Sequence, residues 1–344
     1  MKAALSSGSM ENGKPMDGMT AREKRIREIA GSWEIGGIRA LTDLHIGNVY
    51  KVELDGGSAL ILKNIGKDTP QIRERFVFEQ DVLRHLESRG IPVALPMLRG
   101  DGETFIDDEG ALYTLSPFLA ASDSWKTLAP EGLGRLHREC GAAIARLGAA
   151  LAAFPCPDIE ARTWKTEFAR DLRERWIPDV ERGLDAREGL LALETIKAAL
   201  EGADETIPRL PLQLIHRDCH IGNVVVHGEK VSGFIDFDHL SLGPRAFDLV
   251  YFIAHMIMGN VWEDRTGKAW LPLVEAVLEG YETVTPITAD ERASFFHMIV
   301  GMFVMYSGWF FELGKKEEAT TRLRELAWVL DNRDELKKAI FVDE

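Results

Sequence analysis

The sequence predicts an α+β chain in two lobes: a small N-terminal antiparallel sheet carrying one helix, then a larger, mainly helical C-terminal lobe. Three observations lead there. At 344 residues the chain exceeds what one small core covers. Residues 35–119 alternate β-rich runs with turn residues and contain one helical stretch. From residue 120 onward the pattern is helical, interrupted by short strands between 212 and 235.

The elements follow in order. MKAALSSGSMENGKPMDGMT is rich in Gly, Ser and Met and lacks an apolar stretch of signal-peptide length, so residues 1–22 are expected to be a disordered tail. AREKRIREIAGSW (21–33) has the make-up of a short amphipathic helix. IGGIRALT, NVYKVELDGG and SALILKNI are β-rich runs broken by turn residues such as Asp55-Gly56-Gly57. RERFVFEQDVLRHLESRG (73–90) sets Phe76, Val77, Val82, Leu83 and Leu86 near helical spacing and ends at Gly90. VALPML, ETFID and ALYTLSPFL are expected strands. Residues 23–119 thus form the first lobe and 120–344 the second.

In the second lobe, residues 133–153 are rich in Ala and Leu and stop before Pro155 and Pro157. Helices are expected at 161–184 and 189–203, strands at 212–216, 224–227 and 231–235, and helices again from about 244. His227-Gly228-Glu229 turns between the last two strands. The longest apolar run, MIVGMFVMYSGWFF (298–311), is shorter than the ~20 residues of a spanning helix and is expected to be a buried core helix.

Composition narrows the function classes. A formal net charge of −14 argues against nucleic acid, whose phosphates require Lys and Arg. It is compatible with a cationic small substrate, and it also aids solubility. No membrane partner is expected. Cys140, Cys156 and Cys219 form no CxxC pair, which fits a reducing cytoplasm.

Two short runs concentrate polar side chains between apolar residues. LIHRDCHIGN (214–223) holds His216, Asp218, His220 and Asn223; VSGFIDFDHL (231–240) holds Asp236 and Asp238. Such groups are costly to desolvate unless something pairs with them, so their clustering marks a site. Phosphoryl transfer needs an oriented acceptor hydroxyl, Mg2+ across the donor phosphates and a cation holding those phosphates. Mg2+ takes oxygen ligands, and Asp218, Asn223 and Asp236 supply them. Asp218 stands five residues before Asn223 and eighteen before Asp236.

This layout resembles the aminoglycoside phosphotransferase/choline kinase family, a small-molecule branch of the protein-kinase-like fold. The family pattern H-x-D-x-x-x-x-N, a hairpin, then hydrophobic-D-hydrophobic is matched by HRDCHIGN and FIDFD, and GPRAFDLVYF matches a further Asp near a helix start. The resemblance implies that Asp218 orients the substrate hydroxyl and takes its proton, and that Asn223 and Asp236 bind Mg2+. It implies that His216 and Asp248 brace the loop, and that Asp238 stands where protein kinases carry glycine.

The N-terminal half agrees with that resemblance. Lys63 lies on the predicted strand ALILKNI, where a lysine is unfavourable unless paired. Glu79 in FEQDVLRHL is its expected partner, with Glu74 as the rival. The pair would hold the α- and β-phosphates of ATP or GTP. The phosphate-covering turn LTDLHIGNVYKV contains only Gly47, with Asn48 before the second strand. The lobe connection SPFLAA (116–121) offers backbone groups of Ser116 and Phe118 to the purine.

Three rival readings compete with this one, the third being the same fold with a protein hydroxyl as acceptor, for which no activation-loop-like insertion stands between Asp236 and Asp248. A metal hydrolase would use His-x-Asp-x-His in HRDCH, but leaves Asn223, Lys63 and Glu79 without a task. A nucleotide-binding pseudokinase would lack one of the lysine, base or metal residues, all of which are present. The acceptor is expected to be a small-molecule hydroxyl: an aminoglycoside, a choline-like alcohol, a homoserine-like amino alcohol or a sugar. Phe295, Phe296, Tyr306, Trp309, Phe310 and Phe311 offer cation–π surfaces, and Glu263, Asp264 and Glu312 an acidic rim. Periodicity alone reads those aromatics as a packed helix.

Overall fold

The computed structural model describes residues 19–45, 48–121, 127–156, 158–159, 164–165, 167–184, 190–258 and 270–341. The chain divides into two compact units, Met1–Gln80 with Ala94–Phe118, and Asp81–Val93 with Leu119–Glu344. The expected tail falls largely on residues outside the description. At its end, α1 (Ala21–Gly31) already begins, held by a capping box between Thr20 and Glu23.

The first unit is built on a five-stranded antiparallel sheet. Its strands are β1 (Ile38–His45), β2 (Val49–Leu54), β3 (Ala59–Lys67), β4 (Phe105–Asp108) and β5 (Ala111–Pro117), in the order β1-β2-β3-β5-β4. Alternation puts Tyr50, Val52, Leu60, Leu62 and Leu115 on one face, where Ile26, Ile29, Ala30 and Trp33 cover them. Gly57, at φ +83°, makes the turn from β2 to β3. VALPML forms no strand. Pro92 and Pro96 have no N–H to give a ladder, and only Val93 makes a single bridge, to Phe234. α2 (Pro70–Ser88) starts three residues before the predicted span, at a proline suited to a first turn, and Gly90 at φ +75° closes it.

The second unit is mostly helical. α3 (Pro130–Ala152) leads to β6 (Trp164–Lys165), then to a helical turn (Phe168–Asp171), a π-helical turn (Leu172–Trp176) and α4 (Ile177–Gly183). The helix expected from 161 therefore begins later, because β6 pairs in parallel with β10 (Ser241–Pro244). After α5 (Leu190–Ala199) come β7 (Leu212–Ile215), β8 (Val224–His227) and β9 (Lys230–Phe234). β8 and β9 form the expected hairpin, and β7 pairs antiparallel with β10.

α6 (Phe247–Ile257), α7 (Leu271–Glu282), α8 (Ala289–Glu312), α9 (Lys316–Asp331) and α10 (Arg333–Ile340) complete the unit. α8 is long and apolar enough to cross a membrane by length and composition, but 72% of its apolar window is buried, as for a core helix. α3 and α7 approach through two glycines. A Cβ on Gly141 would run into the Val277 carbonyl, and one on Gly280 into the Arg138 carbonyl.

Candidate active site

The loop between β7 and β8 carries the first polar run, and the backbone there is held from one side. Asp248, in the first turn of α6, accepts the His216 N–H on Oδ2 and the Arg217 N–H on Oδ1, both at 2.8 Å. That clamp holds Arg217 at φ +69°, a conformation L residues rarely adopt. Burial pushes the Asp248 carboxyl up, while His216 and the two amides pull the other way.

His216 is fully buried. Its Nδ1 accepts the Asp218 N–H at 3.3 Å, so the proton sits on Nε2, which donates to the Ile235 carbonyl at 3.0 Å. This one ring thereby ties the 216–223 loop to the segment that carries Asp236. The expected bracing by His216 and Asp248 has a concrete form here.

Asp218 is gripped at both carboxylate oxygens. The Tyr251 phenol donates to Oδ1 at 2.6 Å, and the Asn223 amide nitrogen donates to Oδ2 at 2.8 Å and to the Asp218 carbonyl at 2.9 Å. Two acceptors on one side identify that end of the Asn223 side chain as its NH2. Its amide oxygen therefore points away from Asp218. The Ile235 N–H donates to the Asn223 carbonyl at 3.0 Å, which joins Asn223 to the end of β9. Asp236, the next residue along, occupies a left-handed conformation, φ +68° and ψ +60°.

Neutral rings stand behind the carboxylate. Tyr251 is hydrogen-bonded to the Tyr306 hydroxyl, and His255 Nε2 lies 2.8 Å from that same hydroxyl. His220 stacks on His255, with centroids 4.9 Å apart and planes 19° from parallel. Burial lowers both imidazoles, His255 to about 3, so both are uncharged at neutral pH. Burial also raises both phenols, which keep their protons.

For a cation, Asn223 and Asp236 offer oxygen ligands, the kind a hard cation such as Mg2+ takes with phosphate and water. Among the described residues no group of three or more His, Cys, Asp or Glu is arranged to hold a metal. The His-x-Asp-x-His reading fails on geometry. Both His216 ring nitrogens are hydrogen-bonded, and His220 Nδ1 accepts the Gly222 N–H at 2.9 Å. The oxygen set therefore fits Mg2+ and the imidazoles do not offer a zinc site.

The first unit holds the other predicted residues. Lys63 lies on β3 between Val49 of β2 and Thr114 of β5. Glu79 is half-buried on α2, while Glu74 is exposed. Asn48 follows the β1–β2 turn, with its N–H on the His45 carbonyl and its own carbonyl accepting from Asn64. Gly47 lies outside the described residues. Ser116 stands opposite Ile61 within the sheet. The Phe118 N–H is taken by the Ala59 carbonyl at 3.0 Å, and Lys51 lies 4.9 Å from the Phe118 ring centre. Of the Phe118 backbone groups expected to meet the purine, the amide is thus already used.

Phe295, Phe296 and Phe310 are buried core residues of α8, whereas Trp309 is 39% exposed. Glu312 is paired with Arg175 at 2.9 Å, so it is not a bare acidic rim, and Glu263 and Asp264 lie outside the described residues. Sequence reasoning gave Tyr251 and His255 no role, and Tyr306 only that of a cation–π surface. Helical spacing was the available signal: Tyr251 is three residues after Asp248 and four before His255, which sets all three on one side of α6.

The model of the phosphotransferase enzyme family matches residues 37–292. A homoserine kinase of Neisseria meningitidis is 31% identical over 227 residues, which cover 65% of this chain and 67% of that one. A homoserine kinase of a Janthinobacterium species is 26% identical over 257 residues, 72% of this chain and 74% of that one. Two solved structures share the fold. An amicoumacin kinase in complex with AMP-PNP, Ca2+ and Ami has a TM-score of 0.65 at 18% identity, covering 91% of this chain and 95% of its own. A microcompartment-associated aminopropanol kinase has a TM-score of 0.63 at 17% identity, covering 92% and 99%. The kinase-like fold class is thereby established, and a family model spanning well over half the sequence does the rest: the chain belongs to the phosphotransferase enzyme family and is a small-molecule kinase with an alcohol group as acceptor.

Proposed function

We propose that this kinase moves the γ-phosphoryl group of ATP to the hydroxyl of a small amino alcohol or hydroxy amino acid, with Asp218 as the base. The observation that carries the reading is the double grip on Asp218. Tyr251 and Asn223 each occupy one lone pair of its carboxylate, which holds the group in one orientation and leaves a lone pair on each oxygen. An acceptor O–H placed there donates to the carboxylate. Its oxygen then forms the new O–P bond, the bond between the γ-phosphorus and the bridging oxygen breaks, and ADP leaves.

Asn223 and Asp236 would hold Mg2+, which when bound neutralises charge on the donor phosphates. The amide geometry supports this: Asn223 spends its NH2 on Asp218 and keeps its oxygen for a cation. Lys63 and Glu79, on β3 and α2, are assigned to the α- and β-phosphates, and Asn48 to the covering turn. Ser116 and the Phe118 carbonyl are assigned to the purine. The acceptor class is supported by the relatives, named homoserine kinases and an aminopropanol kinase. The absence of charge on His220 and His255 also supports it, because neutral rings near Asp218 do not repel an ammonium group.

The test is a coupled ADP-release assay with Mg2+-ATP and Mg2+-GTP over homoserine, aminopropanol, ethanolamine, choline, aminoglycosides and sugars, with Asp218→Ala as control. Release that needs homoserine or an amino alcohol and disappears in the variant is the expected result. Release only with aminoglycosides or sugars would overturn the acceptor class. A preference for GTP would overturn the donor.

A further inference from the structure

We propose that Tyr251, Tyr306 and His255 are positioning residues that form a hydrogen-bond relay of fixed polarity ending on Asp218. The inference rests on the reading of Asp218 as the base and adds three residues to it. Counting protons fixes the direction. A carboxylate only accepts, so the single Tyr251 proton goes to Asp218 Oδ1. The Tyr251 oxygen must then accept the Tyr306 proton. Tyr306 has no second proton to offer, so His255 must donate from Nε2. The neutral ring has one N–H, and the chain of bonds requires it on Nε2 rather than Nδ1.

The surroundings support such a relay. All three side chains come from two packed helices, Tyr251 and His255 from α6 and Tyr306 from α8. Tyr251 is 4% exposed, and Tyr306 and His255 are half-buried by residue exposure. Burial keeps the phenols protonated and the imidazole uncharged. Each bond in such a chain polarises the next, so the donor reaching Asp218 is stronger than an isolated phenol. His220 lies flat against the far end and restricts rotation of the His255 ring.

Two measurements test the relay. The first does not depend on activity: 15N-labelled histidine spectra of the full chain at neutral pH, with His255 assigned by its loss in His255→Gln. The expected result is a neutral His255 with its proton on Nε2. A neutral ring with its proton on Nδ1 would overturn the relay even in a fully active enzyme.

The second uses the acceptor found in the assay above. Tyr251→Phe should lower kcat about 10–100-fold, the range for losing a hydrogen bond to a charged group, with both KM values within about twofold. Tyr306→Phe should lower kcat severalfold, and the double variant should be no slower than Tyr251→Phe, because Tyr306 acts through Tyr251. His255→Gln, which keeps an N–H donor, should retain most of kcat, while His255→Leu should lower kcat by no more than Tyr306→Phe, because Tyr306 still donates to Tyr251. Multiplying effects in the double variant, a change confined to KM, or full activity of Tyr306→Phe would each overturn the proposal. A chain inactive with every acceptor would fail the proposed function instead, and the histidine spectra would still decide the relay.

Discussion

Asp218 lies in the loop between β7 and β8, Asp248 holds that loop from α6, and their oxygens face different things. Both oxygens of Asp248 are taken by backbone amides, and the residue is buried. The Asp218 carboxylate is held by side chains, a phenol and an amide, each of which leaves a lone pair open. Truncation should separate the two. Asp218→Ala is expected to lower kcat by ~10²–10⁴ while leaving the calorimetric affinity for nucleotide unchanged. Asp248→Ala leaves two amides without an acceptor and should cost about 2–4 kcal/mol of stability, read by urea denaturation, before any kinetic effect is measured. Asp236→Ala should abolish the Mg2+ dependence of nucleotide binding. Asp218, Asn223 and Asp236 were legible because polar groups between apolar strands lose hydration that only a paired or ligand-bound site restores. The rings behind Asp218 were not, because Tyr251 and His255 fall in a helix whose neighbours Val250, Phe252, Ile253 and Ala254 are all buried core. Apolar periodicity hides a polar contact made by the tip of an aromatic side chain.

Among the elements, α3 and α7 come close where Gly141 and Gly280 let the backbones meet. A methyl group at either position would run into a carbonyl oxygen of the opposite helix, and neither backbone can step aside without moving its helix. Gly280→Ala is therefore expected to destabilise the second unit by about 1–3 kcal/mol, despite the better helix propensity of alanine. An unchanged denaturation midpoint would show that the helices separate freely. The same scale determines which strands were readable. β2, β3 and β5 carry their own alternation of buried and less buried residues. β10 reads SLGP and has no such pattern; its extended backbone is set by pairing with β7 and β6. VALPML has strand-like residues, but Pro96 within it and Pro92 just before it remove ladder donors, and the Met97 N–H bonds to the Leu115 carbonyl. Pairing partners are not visible in a single strand's sequence, whereas a missing N–H is.

For the whole molecule, the response to acid depends on which groups change protonation first. His137, His255 and His297 are all lowered from the ordinary histidine value, in each case chiefly by burial. The unfolded chain binds protons on these rings as pH falls through about 6.5, and the folded chain does not. Stability is therefore fully present above about pH 6.5 and declines below it, down to the folded values, about 3 for His255. One such proton bound only by the unfolded chain costs at most about 1.4 kcal/mol per pH unit. Carboxylates lowered in the fold, such as Glu291 against burial by its bonds to Arg245 and Thr288, act later, as pH falls through the carboxylate range. The net charge of −14 works the other way, since protonation relieves self-repulsion, but exposed charges more than about 8 Å apart are screened at physiological salt. The histidines should dominate between about pH 6.5 and 5. The denaturation free energy is expected to fall across that interval at about 0.15 M salt, and His255→Gln should flatten the fall by up to one proton's worth. If stability instead rises toward about pH 5, charge repulsion outweighs the buried rings. If His255→Gln leaves the slope unchanged, His255 takes up its proton in the folded chain as readily as in the unfolded one.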